Sequence, residues 1–164
     1  MNQRLFLVMG LQGSGKTEVA GKIAEKFDAV LLRSDVLRKE LFKKSHYTKE
    51  ESKRVYEEMF HRAQTALKNG KSVVLDATFK KEEERKFAKI MANEFWVKYE
   101  IINVVCDEKI LEKRINERTG DASEATFEIY LKSKSGFEPV EGEHLVFDNS
   151  GPMGNINKFV NSLI

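Results

Sequence analysis

The chain has 164 residues, 41 % of them hydrophobic and 33 % charged, with a formal net charge of +2 and one cysteine. That length suits a single domain with its own core, expected here over residues 1–164. The composition excludes an intrachain disulfide and argues against a broad basic surface. No apolar run approaches the roughly 18 residues a membrane span needs, so no membrane partner is expected.

Arg4 to Met9 reads as a short apolar strand. It runs into Gly10-Leu11-Gln12-Gly13-Ser14-Gly15-Lys16-Thr17, a complete G-x-x-x-x-G-K-[ST] phosphate-binding loop. Val19, Ala20, Ile23, Ala24 and Phe27 then recur at helical spacing. Strand, glycine loop and helix are the setting this motif requires. Gly10, Gly13 and Gly15 let backbone N–H groups approach phosphate oxygens, and the helix that begins near Lys16 adds the positive end of its dipole. Lys16 is expected to reach the β- and γ-phosphates of ATP, and the Thr17 hydroxyl to ligate Mg²⁺. Ser14 is an extra phosphate donor or simply a small loop residue.

Ala29 to Leu32 is the expected second strand, followed by a helix from about Asp35 with Ser34 as cap. Asp35 and Arg38 are three apart, on one helix face. They follow a strand end, where open α/β sheets bind ligands. Asp35 could accept the proton of an attacking hydroxyl, and Arg38 could hold an anionic or transferring group. The plainer alternative is an acid favouring the helix dipole beside an exposed arginine. Residues 43–48 form a polar break, and Val55, Met59, Ala63 and Ala66 mark a long helix that ends at Asn69-Gly70.

Ser72 to Leu75 reads as the third strand and stops at Asp76, placed as a Walker-B aspartate would be to hold Mg²⁺ directly or through water. Ala77 follows it where many ATP-hydrolysing motors carry a glutamate, which favours transfer to a hydroxyl over hydrolysis. Phe87, Ile90, Met91 and Phe95 mark another helix, and Glu100 to Cys106 a fourth strand entered from Val97. Asp107 can cap the helix that carries Leu111 and Ile115. Arg114 and Arg118 lie four apart on it, ahead of a break at Thr119-Gly120 and a helix expected from Ser123. A short lid over about 112–126 would bring both arginines onto the phosphates; exposed surface arginines are the even alternative. Leu145 to Phe147 is the last strand, and Ile156, Phe159, Val160 and Leu163 form a closing helical stripe.

His46, His61 and His144 show no metal-ligand spacing. His61 reads as structural, and His46, beside Tyr47, as a lesser candidate for an acceptor site. Trp96 and the phenylalanines read as core. The alternation predicts an α/β P-loop NTPase fold: a five-stranded, mostly parallel sheet flanked by helices, with a short helical lid. A single Cys106, and a first strand close to the N-terminus, suit a cytoplasmic protein.

In ordered motifs the chain resembles the small P-loop kinases of the AAA_33 type, which are similar to the kinase domain of polynucleotide 5′-hydroxyl kinases and more distantly to adenylylsulfate, gluconate and zeta-toxin kinases. The resemblance rests on Gly10 to Thr17, Asp35-x-x-Arg38, the Val73 to Thr78 strand end, Cys106-Asp107-Glu108, Arg114-x-x-x-Arg118 and the stretch from Asp121 to Thr126. It implies Asp35 as general base, Arg38 at the acceptor, and Arg114 and Arg118 as phosphate-binding lid residues. It also implies an adenine site near Asn149, Ser150 and Gly151. The expected activity is transfer of the ATP γ-phosphate to a hydroxyl of a small-molecule or nucleotide-like acceptor. A polynucleotide 5′-hydroxyl kinase is the alternative within that class; nucleic acid is a possible but less favoured partner. A nucleotide-binding switch without acceptor phosphorylation is the alternative outside it. Neither the acceptor nor the oligomeric state can be read from these residues.

Overall fold

The computed structural model describes residues 2–117 and 126–164. Among these residues, five strands are interspersed with seven helices: β1 Arg4–Met9, α1 Lys16–Lys26, β2 Val30–Arg33, α2 Ser34–Leu41, α3 Lys49–Lys68, β3 Val73–Asp76, α4 Glu82–Glu94, β4 Lys98–Val105, α5 Glu108–Glu117, α6 Phe127–Ser135, β5 Leu145–Asp148 and α7 Gly154–Ser162. All four strand pairings are parallel, in the order β2-β3-β1-β4-β5.

β1 is the centre because its side chains are apolar on both faces, as a strand covered on both sides must be. Leu5, Leu7 and Met9 face one core layer, with Val55, Met59 and Ala63 of α3 and Ala88 and Met91 of α4. Phe6 and Val8 face the other, with Val19, Ala20 and Ile23 of α1 and Ile156 and Val160 of α7. Leu5 to Met9 are completely buried. Each such side chain contributes about 1.5–3 kcal/mol relative to exposure, which fixes the strand's register against β3 and β4. That register places Val8 beside Asp76, so the glycine loop and the end of β3 emerge side by side at the carboxyl edge of the sheet.

Element ends depart from the pattern by a residue or two, because ladder and helix bonds outlast the apolar stripe. β2 runs to Arg33 and α2 begins at Ser34, so Ser34 is the first helical residue and its cap is Arg33. Ser123 lies outside the described residues; the helix described there starts at Phe127, and the Thr126 hydroxyl accepts the Ile129 N–H. The core assignment fails at Trp96. It occupies the turn after α4 at φ 55° and is 95 % exposed, because Phe95 and Val97 take the inward positions on either side. Phe87 is also half exposed, leaning on Phe60 with ring centroids 4.7 Å apart. No helix among the described residues is long and apolar enough to cross a membrane.

Candidate active site

The glycine loop turns the chain from β1 into α1 with little room for side chains. A Cβ at Gly10 would stand 2.5 Å from the Val104 carbonyl oxygen, and one at Gly13 would stand 2.9 Å from Ile115 Cγ1. Gly15 caps α1 at φ 84°, in the left-handed region, and a Cβ there would collide with the Asn149 side-chain amide. The first N–H groups of α1 have no carbonyl one helical turn earlier to bond, so they are donors for an anion.

The β3 end supplies the acid of this corner. Thr17 Oγ1 donates to Asp76 Oδ2 at 2.7 Å. Asp76 is only 3 % exposed, and its Oδ1 has no hydrogen-bond partner among the described residues. Burial raises the Asp76 carboxyl above the usual range; the Lys16 ammonium and the Thr17 hydroxyl pull it back down. Arg33 Nε stands 3.5 Å from the same Oδ2. A buried carboxylate with an unused oxygen beside a threonine hydroxyl is a hard-oxygen donor pair, suited to a small divalent cation that keeps several waters.

Beside the loop a cleft of about 430 Å³ opens between α2, α3 and α6, with Gln12 of the glycine loop in its wall. Asp35 and Arg38 both line it, so the structure brings these two together. Arg38 is held from behind: Nη1 lies 3.4 Å from Glu51 Oε2, Nη2 donates to Ser52 Oγ at 3.1 Å, and the guanidinium stacks 4.8 Å from the Tyr47 ring centroid. Glu51 also accepts from the Ser45 hydroxyl at 2.7 Å and from the His46 and Tyr47 amides at 3.0 and 2.9 Å. These bonds, the His46 amide foremost, hold its carboxyl below the usual range. The loop into α3 is thus wound around one carboxylate, which also balances the Arg38 charge. His46 lines the cleft, whereas His61 and His144 do not.

The opposite wall depends on a strained turn. Phe79 is fully buried at φ 48°, a conformation that costs a residue with a side chain roughly 1–2 kcal/mol. It is held because its N–H donates to Tyr56 Oη at 3.1 Å and its carbonyl accepts from Arg85 Nη1 at 3.2 Å. Arg85, 1 % exposed, also donates to the Glu138 and Pro139 carbonyls at 2.8 and 3.1 Å and to Glu82 at 2.9 Å. The turn thereby presents Thr78 and Lys80 to the cleft, next to Glu84 and, from α6, Lys132. Burial raises both the Tyr56 hydroxyl and the Glu84 carboxyl above their ordinary values.

The late loop meets the glycine loop from the other side. Asn149 is 4 % exposed, and its Nδ2 donates to the Ser14 carbonyl at 2.8 Å. The side chain therefore supports the loop. Arg114 Nη2 donates to the Asn149 carbonyl at 2.8 Å, and Nη1 lies 3.4 Å from Cys106 Sγ. Gly151 is exposed, and Arg118 lies outside the described residues. Ser14 Oγ is buried without a hydrogen-bond partner among the described residues.

Glu51, Lys80, Glu84, Arg85 and Lys132 escaped the motif reading. Only Glu51 carried a signal: Thr48-x-x-Glu51 is a capping-box pattern, and the Thr48 hydroxyl accepts the Glu51 N–H at 3.2 Å. The others are placed by long-range packing.

Comparison with known proteins agrees with this architecture. A gluconokinase from Sinorhizobium meliloti is 19 % identical, with a TM-score of 0.73 over 97 % of this chain and 89 % of that one. The Mycobacterium tuberculosis APS kinase CysC, solved with AMPPNP and APS, is 16 % identical, with a TM-score of 0.71 over 98 % and 96 %. Chaetomium thermophilum Kti12, solved with ADP-AlF3, is 13 % identical, with a TM-score of 0.73 over 96 % and 95 %. At these identities the likeness is one of fold, a kinase-like P-loop fold. No curated protein sequence matches the chain. A family model, AAA_33, described as an AAA domain, matches residues 5–140. That match takes in the glycine loop, the β3 aspartate and every residue that lines the cleft, and the chain belongs to the AAA_33 family.

Proposed function

We propose that the protein is an ATP-dependent phosphotransferase that moves the γ-phosphate to a hydroxyl of a small acceptor bound in the α2–α3–α6 cleft. One observation carries the reading: the phosphate loop and the cleft share Gln12, so a loop-bound phosphate tail faces a chamber lined by Asp35 and Arg38. A nucleotide switch needs no such chamber. The solved structures with AMPPNP or ADP-AlF3 support a nucleotide in the loop.

In this reading Lys16 and the loop amides hold the phosphates, and Thr17 and Asp76 hold Mg²⁺. That ion, when bound, would offset the phosphate charge during transfer. Asp35 accepts the acceptor's hydroxyl proton, which sharpens the oxygen as a nucleophile. Arg38, fixed by Glu51 and Ser52, holds the acceptor in line, and Arg114 stands beside the loop as a phosphate-side cation. The cleft opposes Arg38, Lys80 and Lys132 to Asp35, Glu84 and Glu128. That balance favours a compact polar acceptor over a polynucleotide, whose backbone asks for a net positive track.

The test is acceptor-dependent ADP formation over a panel of hydroxylated metabolites and 5′-hydroxyl oligonucleotides. With a genuine acceptor, Asp35→Asn lowers turnover by about 10²- to 10⁴-fold and leaves Mg·ATP affinity within a factor of about two. Full transfer by Asp35→Asn removes the base assignment. Tight nucleotide binding with no transfer across the panel favours the switch.

A further inference from the structure

We propose that Asn149 is a positioning residue that aims one amide of the phosphate cradle and, through its own carbonyl, holds Arg114 beside it. This rests on the reading that the loop binds nucleotide phosphates.

The Ser14–Gly15 peptide is planar and trans, so its C=O and N–H point in opposite directions. Asn149 Nδ2 pins that C=O at 2.8 Å. The Gly15 N–H is therefore turned away from Asn149, and it donates to no group among the described residues. A loop amide fixed in direction and left without an acceptor is a donor prepared for an anion. Asn149 is itself fixed, since its N–H donates to the Val105 carbonyl at the end of β4 at 2.8 Å. Its carbonyl accepts Arg114 Nη2 at 2.8 Å. One residue at the end of β5 thus sets an amide of the loop with its side chain and a cation of α5 with its main chain.

The residue type follows from the geometry. A buried amide must be hydrogen-bonded, and Asn149 meets this by donating to a carbonyl. An aspartate would turn a carboxylate oxygen on the Ser14 carbonyl oxygen, and a serine is too short to reach it. Gly15 must lack a Cβ because the Asn149 amide occupies that space. Leaving the backbone of residue 149 unchanged keeps the Arg114 contact, so side-chain variants isolate the effect on the loop.

The experiment uses calorimetry with two probes, Mg·AMPPNP and Mg·tripolyphosphate, on the wild type, Asn149→Ser and Asn149→Asp. Tripolyphosphate has no base, so it reads the cradle alone. Both variants are expected to bind both probes at least tenfold more weakly. Tripolyphosphate affinity within twofold of wild type overturns the proposal: loss with AMPPNP alone makes Asn149 a base contact, and loss with neither makes it structural. A wild type that binds neither probe overturns the nucleotide reading itself, and the proposal with it. A second measurement needs no variant. The Gly15 amide proton of the wild type should move strongly downfield in ¹⁵N-correlated spectra when Mg·AMPPNP is added; a resonance that stays in place contradicts the assigned direction.

Discussion

Gly15→Ala tests the geometry of the loop most sharply, because two separate costs meet at one Cβ. Gly15 sits at φ 84°, and the left-handed region costs a residue with a side chain roughly 1–2 kcal/mol. The new methyl group must also displace the Asn149 amide, which forfeits a hydrogen bond worth about 1 kcal/mol. The total is roughly 2–3 kcal/mol, and at about 1.4 kcal/mol per tenfold that is roughly a 30- to 150-fold effect. If the loop yields, the loss falls on nucleotide affinity; if it holds, the loss falls on stability. Calorimetry with Mg·AMPPNP and urea unfolding, run together, should recover the sum. Two other glycines serve as controls. Gly70 has φ 76° with nothing within 4 Å of a Cβ, so Gly70→Ala should lose about 1–2 kcal/mol of stability and no affinity. Gly21 lies inside α1 with nothing within 4 Å, so Gly21→Ala should gain up to about 1 kcal/mol. Wild-type stability and affinity in Gly15→Ala would refute the reasoning.

Two further outcomes follow from the site. Arg85→Ala should cost roughly 2–4 kcal/mol in urea unfolding, discounted because Glu82 is partly exposed, since it strands the Phe79, Glu138 and Pro139 carbonyls; a loss under about 1 kcal/mol would mean the Phe79 turn stands without it. The third concerns Asp76, whose folded pKa is raised by burial. Its ionisation therefore opposes folding: the protonated form's contribution is complete below the unfolded value and is lost as pH rises through the folded one. Metal binding needs the carboxylate, so Mg²⁺ affinity should weaken as pH falls through that raised value. Asp76→Asn should melt at or above the wild type at pH 7 without metal, yet lose Mg²⁺-dependent nucleotide binding. Thermal melts and calorimetry between pH 4.5 and 7.5 check both signs.

Much of the fold was legible because two covered sheet faces demand continuous apolar strands, and Leu5 to Met9 or Val73 to Leu75 can be little else. The glycine loop declared itself through backbone chemistry that few residues can supply. Asp76 was legible as an acid at a strand end and, with Thr17, as a Mg²⁺ candidate; the direct hydrogen bond between the two was not, because it depends on β3 lying next to β1. The acceptor cleft was the least legible part. Arg38 could be picked out by its spacing from Asp35, but Glu51, which fixes it, is one glutamate among many on a charged helix. Arg85 sits in a stretch of seven charged residues, Lys80 to Lys86, and nothing local marks it as the one that is buried. Trp96 was misjudged for the converse reason: residue type suggested core, while a positive-φ turn faced it outward. Asn149 was placed near the nucleotide by resemblance, and only the folded chain puts its amide on the Ser14 carbonyl.

The central claim is that loop 10–17 holds a nucleotide's phosphates with a divalent cation at Thr17 and Asp76. Calorimetric titration of the folded wild type with AMPPNP, with and without Mg²⁺, tests it most directly. The account predicts saturable, stoichiometric binding that weakens at least tenfold when EDTA replaces the metal and again in Lys16→Ala. Absence of binding in the presence of Mg²⁺, or binding indifferent to both the metal and Lys16, would contradict it.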